Sequence, residues 1–293
     1  MNKKLILAVT ALVLTGCSSN STKITSQVTD GSNVVASIES NGIQLTKQDV
    51  YESLLSTYGA NLVVNKSLQA IADTVITDTE RVNSEVDTMI SSYKSMLGGE
   101  EGLLEYVQSS GYESIDDYKA KVLEPNVKQS LLTEKYVDEN FTTLAETYGY
   151  SYIQYFTMPT ESEAMTVISQ ISSGETTFDD AATANAGSVP EQVLCYTEAS
   201  SSTVDSSISR MAAQFTIEGI FSVPVSLSDG TYAVINVVSV DREANRDAII
   251  DSLVTITDVT NESNAYYLNN NNFEVYEEGL VSDIKTINEN YIQ

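Results

Sequence analysis

The chain has no histidine and no tryptophan, and only 15 lysines and arginines stand against 41 aspartates and glutamates. Without histidine, Ser-His-Asp and Cys-His catalysis and every histidine-ligated metal site are excluded. The shortage of cations leaves a formal net charge of −26 over 293 residues. Such a surface repels phosphate backbones and anionic lipid headgroups, so nucleic acid is not an expected partner. The acids, though many, form no Asp-x-Asp-x-Asp-Gly loop, so no calcium site, and no cofactor or other metal, is expected. Cysteine is nearly absent too. Only Cys17 and Cys195 exist, which leaves no disulfide framework. What the chain does have is 42% hydrophobic residues, among them 17 tyrosines, enough to bury a core.

The first residues are organised differently from the rest. Lys3 and Lys4 precede an apolar run from Leu5 to Leu14. That run is short of the roughly 20 residues a membrane-spanning helix needs. Leu14-Thr15-Gly16-Cys17 follows, with small residues before a cysteine, and resembles a lipobox. The expectation is a leader over 1–16, cleavage before Cys17, and a lipid on its thiol. The protein would then sit on the extracytoplasmic face of the cell membrane, and loss of Lys3 and Lys4 makes it two charges more negative. Residues 17–33 are rich in Ser and Thr without apolar periodicity, the pattern of a flexible tether. With Cys17 lipidated, Cys195 is left as the one free thiol. It lies in the apolar run Val193–Tyr196 and is expected to be buried.

Val34 to Leu45 alternates around Asn41-Gly42 and predicts a hairpin. Thr46 with Asp49 predicts a capped helix whose face is Val50, Tyr51, Leu54, Leu55 and Tyr58, stopped at Gly59. A second apolar segment spans Leu62 to Ile76, and Glu80 to Leu97 keeps helical spacing up to Gly98-Gly99. A short helix is expected around Leu103–Val107, another from Ser114, and one opening at Pro125 and running towards Leu144. After Gly149 the pattern becomes a strand over 150–158, helices over 161–171 and from Phe178, and a Ser-rich surface loop over 199–209. Strands at 221–227 and 232–240 then flank Asp229-Gly230. From Glu243 to Ile256 the chain reads as helical again. Asn269 to Asn272 reads as a loop or a polar helix face, and Leu280, Ile284 and Ile287 mark a last helix. The class is α+β.

This order resembles the PrsA-type foldases and the related SurA-type chaperones. Three stretches carry the resemblance: Val35-Ala-Ser-Ile-Glu-Ser-Asn-Gly-Ile-Gln-Leu-Thr-Lys-Gln-Asp49, Thr160-Glu-Ser-Glu-Ala164 with Gly174-x-x-x-Phe178-x-x-x-Ala182, and Met211-Ala-Ala213 with Gly219-x-x-Ser222-x-Pro224-Val225 and Gly230-x-Tyr232. The resemblance implies a helical SurA/PrsA-like chaperone domain built from both chain ends, 34–147 and 242–293, with a parvulin-like α+β domain inserted at 148–241. It implies unfolded or partly folded exported proteins as partners, and leaves a homodimer open.

The parvulin positions depart from the family. Its two strand histidines fall at Tyr155 and Ala233, and its Asp or Cys after the second helix falls near Ser188. The aromatic that packs on the substrate proline falls at Ser209, and the apolar residue four before it at Asp205. Isomerisation only requires a pocket that twists and desolvates an amide across a barrier of about 18–20 kcal/mol, so histidine is not strictly needed. With these positions changed together, the expectation is a weak or inactive peptidyl-prolyl isomerase on a foldase scaffold. A solute-binding lipoprotein of a transporter and an acidic surface adhesin are the competing readings of the same lipobox and charge.

Overall fold

The computed structural model describes residues 27–200 and 202–293. The leader and Cys17 lie outside the described residues. The described residues divide into two compact units, 27–132 with 261–293, and 133–260.

In the first unit, β1 (Val34–Ile38) pairs antiparallel with β2 (Ile43–Thr46), Ile38 opposite Ile43. Gly42 takes φ +70° in the turn, and Asn41 Oδ1 accepts from the Ile43 amide at 3.2 Å. Thr46 then caps α1 (Lys47–Leu54) in a reciprocal box. Its hydroxyl accepts from the Asp49 amide, and Asp49 Oδ2 accepts from the Thr46 amide at 2.8 Å. The helix does not stop at Gly59 as expected. It passes through a π-helical turn, Leu55–Gly59, straight into α2 (Ala60–Val75). Gly59 has helical φ, and a Cβ there would lie 2.8 Å from Leu280 Cδ2. Its small size serves a close approach of α13 (Glu278–Ile287) and not termination.

Asp78 caps α3 (Thr79–Met96), which buries Val82, Val86 and Ile90. Next come α4 (Glu100–Ser109) and α5 (Ile115–Tyr118), the latter capped by Ser114. Pro125 stands at the second position of its helix. It lies in α6 (Glu124–Glu139), directly after a π turn at Lys119–Leu123. Proline lacks an amide hydrogen and crowds the carbonyl four residues back, and the wider turn makes room for it. Leu103, Val107, Leu123, Val127 and Leu131 join the α3 residues in one core. Helix α12 (Thr257–Asn270) takes in Asn269 and Asn270, which from sequence read as a loop or a polar helix face. In α13, Leu280 and Ile284 are buried while Ile287 is exposed.

The second unit holds α7 (Phe141–Thr147), β3 (Ser151–Met158), α8 (Glu161–Ser173), α9 (Phe178–Ala186), β4 (Val193–Cys195), α10 (Ser206–Ser209), β5 (Gly219–Ile220), β6 (Val225–Ser226), β7 (Tyr232–Ser239) and α11 (Arg246–Leu253). The antiparallel sheet runs β4-β3-β7-β5, with β6 also on β7. Of the strand expected over 221–227 only the two-residue β6 forms, after Pro224, which cannot donate to a ladder, while β5 pairs ahead of it. Phe156, Met158 and Val234 face α8 and α9, meeting Ala164, Val167, Ile168 and Phe178. A further cluster joins Val137, Phe141, Leu144 and Tyr150 to Ile249, Leu253 and Ile256. The architecture is thus α+β, with the second unit reaching beyond residues 148–241 on both sides.

Candidate functional site

Side chains alternate across β3 and β7, so Ile153 and Tyr155 share a face with Ala233, Ile235 and Val237. Tyr155 stands opposite Ile235, and Ala233 opposite Thr157. This is the face opposite α8 and α9. Its cover comes from the segment expected to be a surface loop. Val204, Ile208, Ala212 and Phe215 are all about 1% exposed or less and pack into the same cluster. Phe215 meets Phe221 edge to face, ring centres 5.0 Å apart. Burying Val204 and Ile208 stabilises the unit by about 1.5–3 kcal/mol each, which is why serine-rich sequence around them does not keep the segment in solvent.

The structure therefore brings two of the four proposed positions, Tyr155 and Ala233, onto one face. Tyr155 is half-buried on the sheet, Ala233 is fully buried beside it, and Ser209 is buried on α10 next to Ile208. Ser209 Oγ donates to the Ser206 carbonyl at 3.2 Å, so its hydroxyl is tied into its own turn. Ser188 is elsewhere. It is exposed just past α9, the helix that packs on the opposite face.

Asp205 joins this group. It caps α10, accepting from the Ser207 amide at 2.7 Å and from Ser228 Oγ at 2.9 Å. The Ser207 amide is the main cause holding its carboxyl below the usual carboxylate range. Burial raises the Tyr155 phenol above its usual value, and the Asp205 charge adds to this, while the Asp205 backbone opposes it. Cys195, paired with Ser151 in the β3–β4 ladder, belongs to the same cluster. It is a free, fully buried thiol that burial has pushed up to about 12. At neutral pH the face thus carries a neutral phenol, a neutral thiol and one hydrogen-bonded carboxylate over an apolar floor. Nothing in it is a ready nucleophile or a base free to move a proton.

What sequence reasoning missed is the filling. Val204, Ile208 and Ala212 recur every four residues, with Phe215 three further on, an apolar spacing legible within the serine run. Among the described residues no group of three or more His, Cys, Asp or Glu is placed to hold a metal ion, and no helix is long and apolar enough to cross a membrane.

No protein-family model matches the chain, and no curated protein matches it. Solved structures do. The peptidylprolyl isomerase PrsA from Bacillus cereus is similar with a TM-score of 0.51 at 16% identity, over 88% of this chain and 99% of that one. The foldase protein PrsA from Streptococcus pneumoniae aligns over 88% and 100% at 16% identity, with a TM-score of 0.40. PrsA from Bacillus subtilis aligns over 85% and 97% at 18% identity, with a TM-score of 0.39. The Bacillus cereus comparison carries the conclusion, which concerns the fold: the chain has a PrsA-type α+β fold.

Proposed function

We propose that this PrsA-like chain is a lipid-anchored, extracytoplasmic foldase that holds unfolded exported proteins, and that residues 148–241 keep a parvulin-like scaffold without efficient isomerase chemistry. The observation that carries the second half is the filled face. Where the family resemblance puts two histidines, a proline-stacking aromatic and an apolar neighbour, this chain has Tyr155, Ala233, Ser209 and Asp205. Val204, Ile208, Ala212 and Phe215 pack on the same sheet face. A proline ring needs an open apolar seat and a desolvated amide, and here the apolar surface is already spent on the protein's own side chains. The first half rests on the fold likeness, together with the lipobox ending at Cys17. PrsA of Bacillus cereus carries the name peptidylprolyl isomerase, and holding chains that emerge unfolded outside the cell is the role which fits an anchored relative of that fold.

Two assays test the reading. The purified protein should suppress aggregation of a chemically unfolded client at equimolar ratio. In a proline-peptide isomerisation assay it should run at the uncatalysed rate. Aggregation unchanged by the protein would overturn the foldase role, and a rate well above background would overturn the inactive scaffold. Loss of radiolabelled palmitate incorporation in Cys17→Ala tests the anchor.

A further inference from the structure

The hairpin of the first unit has an edge that folded proteins ordinarily guard. Its sheet has two strands only, so among the described residues the outer edge of β1 is paired with no other strand. All five residues of β1 are exposed, as are Ile43, Gln44 and Leu45 of β2. Val34, Val35, Ile38, Ile43 and Leu45 each leave 46–56% of their surface open. Edges of this kind are usually blunted by charge, proline or a covering element. The β1 sequence Val-Val-Ala-Ser-Ile has no charge and no proline, and Gly31 to Thr46 carries a single charge, Glu39. A bulge at Val35 is its one guard, leaving Ala36–Ile38 regular. A lone two-stranded hairpin is marginally stable in water, and a third strand supplies what it lacks.

The electrostatics choose the occupant. A second copy would bring together two chains of formal charge −26, which repel. The charges nearest the hairpin in sequence are Asp30, Glu39, Asp49 and Glu52 against one cation, Lys47, whose ammonium is taken up by the Thr29 carbonyl at 2.7 Å. An acidic surround beside an uncharged edge suits an extended apolar segment flanked by Lys or Arg. We propose that β1 binds such segments of unfolded chains by adding them to the hairpin as a further strand. The backbone edge of Ala36–Ile38 supplies hydrogen bonds, and the exposed Val and Ile side chains supply apolar contact. This rests on the foldase reading and names its client chemistry.

The test uses the purified protein and a synthetic peptide that alternates Val and Thr between pairs of Lys, together with a twin N-methylated on every second residue. N-methylation removes the amide hydrogens that pair strands and leaves every side chain in place. The unmodified peptide should bind by fluorescence anisotropy, more weakly as salt rises, and the twin about tenfold more weakly or worse. Ser37→Lys, which puts a guarding charge on the edge, should weaken the unmodified peptide by a similar factor while circular dichroism stays that of the unaltered protein. If Ser37→Lys disturbs the fold, the two peptides on the unaltered protein still decide. Equal binding of the two peptides overturns strand addition. A concentration-dependent dimer that Ser37→Lys dissociates overturns the choice of occupant. Undiminished aggregation suppression by folded Ser37→Lys overturns the assignment of the client site while leaving the foldase reading intact. No suppression by the unaltered protein removes that reading and this one with it.

Discussion

The charge of Asp205 bears on the phenol of Tyr155: from the capping position of α10 it reinforces burial in keeping that hydroxyl protonated. On the proposed reading, which sets this tyrosine at a histidine position of the resembled family, a titrating ring would be replaced by one held neutral at physiological pH.

Asp205→Asn removes the charge and keeps a side chain able to cap. The Tyr155 phenol should then titrate at lower pH, read as the ultraviolet difference between Asp205→Asn and the same change in a Tyr155→Phe background. The carboxyl of Asp205 has a depressed value in the folded state. Its stabilising contribution is therefore complete above its unfolded value and fades as pH falls through the folded one. The stability difference between the unaltered protein and Asp205→Asn should shrink on acidification through that window, as followed by urea denaturation at a series of pH values.

Ile208→Ala should remove about 2–5 kcal/mol from the second unit, since the side chain is fully buried against the sheet. Thermal unfolding would show it. An unchanged melting temperature would mean that the 199–215 segment does not cover the face.

Cys195 should be inert towards Ellman's reagent in the folded protein and react fully once it is unfolded in guanidinium. The thiolate is the reactive form, and with the thiol pushed up to about 12 it is scarce at pH 8. Fast labelling of the native protein would show that the β4 side of the cluster is open.

Gly59→Ala should lower stability by about 1 kcal/mol. Helix propensity favours alanine by a similar amount, but its Cβ would meet Leu280 Cδ2 at 2.8 Å and Leu55 Cδ1 at 2.9 Å, and crowding of this kind costs about 1–3 kcal/mol. In a Leu280→Ala background the same substitution should cost less, with only Leu55 left against the new Cβ. A cycle of four urea melts measures the coupling.

Local signals were read correctly where they are local in cause. The Thr46–Asp49 box, the Ser114 cap and the Asn41-Gly42 turn depend on residues a few positions apart, and all three form. The errors arise where distant contacts decide. Gly59 looks like a helix stop until Leu280 is brought against it. The serine run over 199–209 looks solvated because serine outnumbers the apolar residues, yet Val204 and Ile208 are placed to bury. For the candidate site, strand alternation alone sets Tyr155 and Ala233 on one face, and Ser209 lies buried on α10. Ser188 lies in a loop with no periodicity to fix its alignment, and the filling of the face is not apparent from the serine-rich sequence.

The pairing of Gly59 with Leu280 also sets an order of events. A chain threaded through a membrane from its N-terminus presents α2 early and α13 almost last, with all of residues 133–260 in between. On the proposed export, the second unit would have its whole sequence outside while the first still lacked the helix that packs on Gly59. An exported chain of this kind would finish its own oldest part last, and until then α2 would wait with Gly59 uncovered, in the condition of the unfinished chains it is proposed to hold.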